Sequence, residues 1–446
     1  MSETAPQPEA REFSSQLTIA LVELDLLREL VYGSFRFIKS QCIENDRLDD
    51  NRLDDFQLLS YDLAFCVAEI SASNSLLNYA LKFPKNNLVA RVALVFASEN
   101  YQTVLQRLLV RTSESGCNSK ELVGLYAKPS VKELLTYTGS HVLEQIGREI
   151  TGAGIERLPS TLDDEKELVR ETFYRFANDV VVPLAEEIHR KDQDIPDTII
   201  RPAAELGCFG TCIPERFGGL QPDDNSDSLG MIVVTEELSR GSLGAAGSLI
   251  TRPEIAARAL LAGGTEAQQK KWLPALAKGE MLCAISITEP NTGSDVAAVS
   301  LKATPTERGW LLNGSKTWCT FAGRSELIVL LARTNTDLSL GHKGLSMFLL
   351  QKAAYQGHGF RHEGEQGGSL TGKAISTLGY RGMHSYDLFF EDYFVPAENL
   401  VGENQGEGKG FYYTMAGFSG GRIQTAARAT GVMQAAYEKA LIYACE

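Results

Sequence analysis

The chain has 446 residues, 43% of them hydrophobic and 22% charged, with 57 acids against 43 bases and a formal net charge of −14 at pH 7. This is globular material, too long for one ordinary core and compatible with two to four domains. The acidic balance and the lack of a basic patch argue against a nucleic-acid partner, and no apolar run reaches transmembrane length. Eight cysteines are scattered at 42, 66, 117, 208, 212, 283, 319 and 445. Only Cys208 and Cys212 are close, with no second pair to complete a zinc site, so they read as buried thiols in a reducing compartment. The six histidines show no HExxH-type spacing. The first residues, MSETAPQPEAREFSS, lack the apolar core of a secretory signal. A cytoplasmic location is expected.

In chain order, residues 1–14 read as disordered. Leu17, Leu21, Leu24 and Leu27 have helical spacing in a segment from Ser15 to about Gln41. The acidic tandem from Asp46 to Asp55 reads as a loop and helix start, because Asp caps helices and favours their first turn; its carboxylates lack EF-hand spacing. Helical patterns follow from Phe56 to Leu81, then along Leu88, Val92, Val95, Phe96 and Leu105, then from Val123 to Ile150 as one or two helices. This N-terminal bundle carries no chemical motif and is expected to serve packing or assembly. Helices resume from Asp163, with Glu165–Phe176 amphipathic. The segment Leu206–Gly219 is broken by glycines and a proline. Further helices are expected at Val234–Arg240, Pro253–Leu261 and Glu266–Ala277. From Cys283 to about Pro396 the pattern changes to strands, with short apolar runs at Leu327–Ala332, Leu345–Leu350 and Tyr386–Phe390. His358–Ser376 reads as a glycine-rich polar loop, with His362 solvated. Helix returns at Gly410 and continues to the end.

Two short motifs stand out. Thr288-Glu289-Pro290-Asn291-Thr292-Gly293-Ser294-Asp295 is a turn in which Pro290, Asn291 and Gly293 break regular structure. Its glycine admits backbone N–H groups close to an anion, and its hydroxyls add donors. Lys316-Thr317-Trp318-Cys319-Thr320 ends a strand-like run that starts at Trp310. Alternate positions of an extended chain point the same way, so Trp318 and Thr320 could stack on a flat ring and donate to one of its nitrogens. Taken singly, the first motif also reads as a polar turn and Trp318 as a core aromatic.

Together and in this order, the two motifs closely resemble the flavin-binding segments of the acyl-CoA dehydrogenase family. Pro-Glu and Gly-Gly in Ile213–Gly219 and the run Gln268–Pro274 resemble it too, and the likeness spans about Leu162 to Glu446. The resemblance implies an α+β fold: a helical domain over 160–281, a barrel-like middle β domain over 282–398, and the start of a C-terminal helical bundle over 399–446. An extra N-terminal helical domain, 1–155, precedes them. With Tyr61-Asp62-Leu63-Ala64 it is similar to the extension of the branch that acts on methylsuccinyl-CoA.

The resemblance also implies the chemistry. FAD is the cofactor, an acyl-CoA thioester the substrate, and an electron-transfer flavoprotein the acceptor, in a homodimer or homotetramer. A carboxylate takes the α proton while the β hydrogen leaves as hydride, and donors to the thioester oxygen stabilise the developing charge. By the family pattern, Ile285, Ile287 and Thr288 border the flavin, Gly293 and Ser294 serve the cofactor or the CoA side, Trp318 covers a flavin face, and Thr320 donates toward N5. In Phe418-Ser419-Gly420-Gly421-Arg422, Ser419 and Arg422 are placed on CoA. The sequence departs from the family where some branches place the catalytic glutamate, one residue before that arginine: here it is Gly421. Commoner branches place it later, so the base is expected beyond Glu446 and residues 1–446 alone are expected to be inactive. Arg252, in Gly247–Pro253, matches an arginine that binds the distal carboxylate in a dicarboxylyl member, implying a short substrate of methylsuccinyl type. Otherwise it is a solvated arginine before a proline. An oxidase using dioxygen, or a non-catalytic flavoprotein of the same fold, are the other readings.

Overall fold

In this computed structural model the N-terminal leucines fall on one buried face: Leu17, Leu24 and Leu27 are fully covered along α1 (Arg11–Cys42). The structure describes residues 11–44, 46–153, 158–224 and 227–446. Two compact units divide the chain, Met1–Thr161 with Leu441–Glu446, and Leu162–Ala440.

The first unit is helical. α1 packs with α2 (Gln57–Lys82) and α3 (Asn87–Val110) around a core that includes Leu63, Ile70, Leu94 and Tyr101. Asp49 caps the short helix Asp50–Asp54, accepting from Asn51 N, so the acidic tandem works as a helix start. The helix from Arg11 overturns the expectation of disorder for Arg11–Ser14; residues 1–10 lie outside the described residues. The segment read as one or two helices holds three, α4 (Ser119–Ala127), α5 (Pro129–Leu135) and α6 (Ser140–Ala153). Pro129 opens α5 at a position where its missing N–H costs nothing.

The second unit starts with α7 (Asp164–Phe176), capped by Asp163, and α8 (Val182–Lys191), which ends on Asp192 in the left-handed region (φ 52°). It continues through α9 (Asp197–Glu205), α10 (Ser228–Ser242), α11 (Thr251–Gly263) and α12 (Glu266–Ala277). A capping box between Thr265 and Gln268 starts α12, which buries Trp272.

Eight strands follow: β1 (Cys283–Ser286), β2 (Lys302–Pro305), β3 (Gly309–Thr320), β4 (Leu327–Arg333), β5 (Leu345–Gln351), β6 (Gly359–Glu363), β7 (Ser369–Ala374) and β8 (Ser385–Pro396). They form one mixed sheet in the order β1-β4-β2-β3-β8-β7-β6, with β5 on β4. β1 and β2 run parallel to β4, and the other pairs are antiparallel. The supposed loop His358–Ser376 is therefore largely the hairpin β6–β7. Its few apolar residues alternate inward, Phe360 and Leu370 being buried, and its glycines make the turn, with Gly367 and Gly368 at positive φ. His362 is in a strand and half-buried, 3.1 Å from the Tyr355 hydroxyl, and burial lowers its pKa.

The last helix, α13 (Gly410–Cys445), closes on α10 and α11 through glycines. A Cβ on Gly420 would lie 2.2 Å from Glu254 Oε1, and one on Gly431 would lie 2.2 Å from the Glu236 carbonyl oxygen. No larger residue allows this approach, and it sets where the side chains of α13 stand against α11. Two glycine replacements should therefore move stability in opposite directions. Gly124→Ala, exposed in α4 with nothing within 4 Å of the new Cβ, should stabilise by about 0.5–1 kcal/mol from helix propensity. Gly431→Ala gains the same propensity, but its clash with backbone should cost about 1–3 kcal/mol or more. Thermal melts of the two variants check the signs.

Candidate active site

β1 runs out into the turn Thr288–Asp295, and β3 ends beside it. One buried ion pair fastens the two segments. Lys316 Nζ, fully covered inside β3, donates to the Ile287 carbonyl at 2.7 Å and to Glu289 Oε1 at 2.9 Å. Glu289 also accepts from Ser300 N (2.9 Å), Ser300 Oγ (2.6 Å) and Leu301 N (2.8 Å). Burial raises the Glu289 pKa, but the Lys316 charge and these donors outweigh it and hold the carboxyl below its ordinary range. Burial lowers the Lys316 pKa against the pull of Glu289. The backbone adds a direct link, Thr317 N to the Thr288 carbonyl at 2.9 Å.

β3 and β8 pair Thr320 with Ser385 and Cys319 with Tyr386, then Lys316 with Leu388, so Thr317 and Trp318 together oppose Asp387. This is a β-bulge, a device that re-aims side chains next to functional sites. Thr317 Oγ1 is anchored on Asp387 Oδ1 at 2.6 Å, and Trp318 takes a left-handed φ of 57°. Simple alternation along an extended chain is therefore not what aims Trp318; the bulge is. Trp318 is not a core aromatic either, since 56% of it is exposed. The Thr320 hydroxyl is 2.8 Å from that of Ser385.

A cavity of about 320 Å³ opens here. The sheet side supplies Ile285, Ile287, Thr288, Thr317, Trp318 and Thr320. α11 supplies Thr251, Arg252 and Ile255, and α13 supplies Phe418, Gly421, Arg422, Thr425 and Arg428. Seven of the residues selected from sequence thus line one cavity: Ile285, Ile287, Thr288, Trp318, Thr320, Arg252 and Arg422. Gly293 and Ser294 are exposed on the turn outside it, and a Cβ on Gly293 would meet nothing within 4 Å. Ser419 also lies off the wall, exposed, with its hydroxyl on the Ala416 carbonyl at 2.8 Å.

Arg252 is half-buried rather than solvated. Its Nη1 donates to the Ser248 carbonyl (3.1 Å) and to the Tyr380 hydroxyl (3.2 Å). Arg428 Nη1 donates to Ser248 Oγ at 2.8 Å, while its buried Nε has no hydrogen-bond partner among the described residues. Burial and the nearby Arg252 charge lower the Arg428 pKa. Burial raises that of Tyr380, but the two arginines and Ser248 bring it below its ordinary value. Two guanidiniums close to one phenol, with Arg422 on the same wall, form a site for an anion. Among the described residues no Asp or Glu lines the cavity. Glu438 is committed elsewhere, to Arg240 at 3.2 Å.

Sequence reasoning missed Glu289 with Lys316, Tyr380 and Arg428. A lysine inside a strand run was the available signal for the first pair. Arg422, Thr425 and Arg428 recur every three residues along one helix, which was the signal for Arg428. Tyr380 had none. The exposed Trp318, the hydroxyls of Thr288 and Thr320 and the open Gly293 position suit a flat ring with a phosphate tail, so the residues present fit FAD.

Residues 163–280 match the family described as acyl-CoA dehydrogenase, N-terminal domain, and residues 284–393 match its middle domain. The chain is 35% identical over 283 residues to a short-chain specific acyl-CoA dehydrogenase of Clostridium acetobutylicum, across 63% of this chain and 69% of that protein. It belongs to the acyl-CoA dehydrogenase family. Identity reaches 46% over 287 residues with the (2S)-methylsuccinyl-CoA dehydrogenase of Cereibacter sphaeroides, 64% of this chain but only 50% of that relative, so the chain spans about half its length. The butyryl-CoA dehydrogenase of Megasphaera elsdenii is similar in structure, with a TM-score of 0.55 and 31% identity over 63% of this chain and 68% of that one.

The ion pair behind this cavity gives a stability test. Glu289→Gln or Lys316→Met alone should cost about 3–5 kcal/mol, because each leaves a buried charge unpaired, and the double variant should cost less than the sum. The depressed folded pKa of Glu289 gives stability that is present above the unfolded value of about 4.3 and lost as pH falls through the folded one. Denaturant melts between neutral and acid pH should show this acid loss in the wild type and a shallower one in Glu289→Gln.

Proposed function

We propose that this chain binds FAD and catalyses α,β-dehydrogenation of a short dicarboxylic acyl-CoA thioester of the methylsuccinyl type. The observation that carries this reading is the single cavity in which the Trp318–Thr320 wall faces Arg252 and Arg428. Bound FAD would accept the hydride equivalent that leaves the β carbon. Trp318 offers its exposed ring to a flat partner, with the bulge holding its backbone and Thr317 pinned to Asp387. The hydroxyls of Thr288 and Thr320 are positioned to donate to the edge of that partner. Arg252 and Arg428 hold a distal carboxylate, which offsets the crowding of the two cations and fixes the orientation of the acyl chain. Arg422 serves the anionic CoA portion, as do Ser294 and Ser419 on the exposed rim, and Gly293 lets the cofactor phosphates approach the turn. The α-proton acceptor is a carboxylate outside the residues that line the cavity. Electrons pass to an electron-transfer flavoprotein, from a homodimer or homotetramer in the cytoplasm. Among the described residues no helix is long and apolar enough to cross a membrane.

Trp318→Ala combined with Thr320→Ala should lose bound FAD or slow its anaerobic reduction severely; normal flavin content and reduction would refute the cofactor site. Arg252→Met should lower kcat/KM on methylsuccinyl-CoA about tenfold to a hundredfold, as for a charged hydrogen bond of about 1.5–3 kcal/mol, and leave butyryl-CoA nearly unchanged. Equal losses on both substrates would remove Arg252 from the carboxylate.

A further inference from the structure

A second cluster of chemistry-bearing side chains lies apart from the cavity, where three loops meet: the end of α8, the approach to β6 and the approach to β8. His384 is buried and His358 is exposed. His384 Nε2 is 3.1 Å from Asp192 Oδ1 and 3.3 Å from His358 Nε2, and His358 Nε2 is 3.4 Å from Asp192 Oδ2. We infer that Asp192, His358 and His384 form a site for a divalent transition metal of the zinc class.

Ligands bound at about 2.0–2.1 Å stand roughly 3.3–3.4 Å apart, near the separations here, where the two imidazoles approach different oxygens of the Asp192 carboxylate and one ligand atom from each residue lies within 4.8 Å of the others. The rings cross at 85° with centroids 4.7 Å apart, and both Nε2 atoms lie beside the Asp192 carboxylate. The other nitrogen of His384 is already oriented as in bound zinc sites. Its Nδ1 is 3.0 Å from Asp194 Oδ1, and Asp194 Oδ2 accepts from Gly357 N at 2.6 Å. A carboxylate behind a ligating histidine fixes the tautomer that leaves Nε2 free for the metal. Two of the three residues sit at strained backbone positions, Asp192 at φ 52° and His384 at φ 35°. The Asp192 carbonyl oxygen, 3.0 Å from His358 Nε2, or a water is available as the fourth ligand. Arg381 Nε lies 3.6 Å from Asp192 Oδ1 and would turn away from a bound metal.

Position gives the site a role. The His384 carbonyl accepts from Phe321 N at 2.8 Å, and Ser385, the next residue, holds the Thr320 hydroxyl. A metal here would staple the helical segment at Asp192 to the strand ends that carry Thr320. The set mixes two imidazoles with one carboxylate, which suits zinc, cobalt or nickel rather than calcium or magnesium.

The test uses the whole chain, stripped with EDTA, in three forms: wild type, His358→Ala and Asp194→Asn. His358 is exposed, so its loss leaves the core intact. Zinc binding is read by competition with a chromophoric chelator, together with the shift in Tm on adding zinc or magnesium. The wild type should bind one zinc per chain and melt higher with zinc but not with magnesium. His358→Ala should lose both effects, and Asp194→Asn should bind about tenfold to a hundredfold more weakly. Absence of zinc binding in the wild type would overturn the site. So would equal binding by His358→Ala, since the zinc would then be held elsewhere.

Discussion

The buried pair of Lys316 and Glu289 is the constraint on which the site depends. Neither segment it joins has a large core of its own. The turn Thr288–Asp295 is polar and largely exposed, and the end of β3 is distorted by a bulge. A fully covered ammonium cannot leave its carboxylate without a cost of several kcal/mol, so the turn cannot drift from the strand. The same carboxylate takes two backbone N–H groups, from Ser300 and Leu301, which fixes the chain that leaves the turn. Thr288, Thr317, Trp318 and Thr320 therefore stand at set distances from one another before any ligand arrives, which is what preorganisation requires.

The opposite wall is built by a different means. Glycines on α13 allow backbone to meet α11 and α10 closely, and that approach brings Arg428 within reach of Ser248 and Arg252. The chain carries a net charge of −14, so any anionic ligand meets an unfavourable overall field. Three arginines on one small cavity reverse that field locally, where low dielectric makes each charge count for more.

How far the sequence was legible follows from these two devices. Helix positions were readable because leucine periodicity and caps such as Asp49 and Asp163 are local. The strands at Leu327 and Leu345 were readable as apolar runs. The hairpin over 359–374 was not, because its glycines mask a period-2 pattern carried by few apolar residues. At the site, the two motifs were legible as motifs, and most of the residues chosen from them share the cavity. The aim of Trp318 was not, since a bulge depends on the register with β8. Arg428 and Tyr380 were hidden because their role comes from the packing of α13 on α11 and from a loop before β8, and neither is a local property.

The arginine pair also bears on selectivity. A cavity lined by apolar groups alone separates acyl chains by about 1–3 kcal/mol per methylene. A cavity that keeps two guanidiniums near each other behaves differently. If the wall holds a distal carboxylate as proposed, an acyl chain without one would leave Arg428 Nε without a partner and the two cations near one another, so it would meet unsatisfied polar groups and not only lost contacts. The Tyr380 hydroxyl accepts from Arg252 at 3.2 Å, and the positive charge of the two arginines that lowers its pKa favours negative charge in this corner of the cavity. On the proposed reading, discrimination by this wall would rest on leaving charge unpaired with the wrong substrate, and it would depend on α13 staying close to α11.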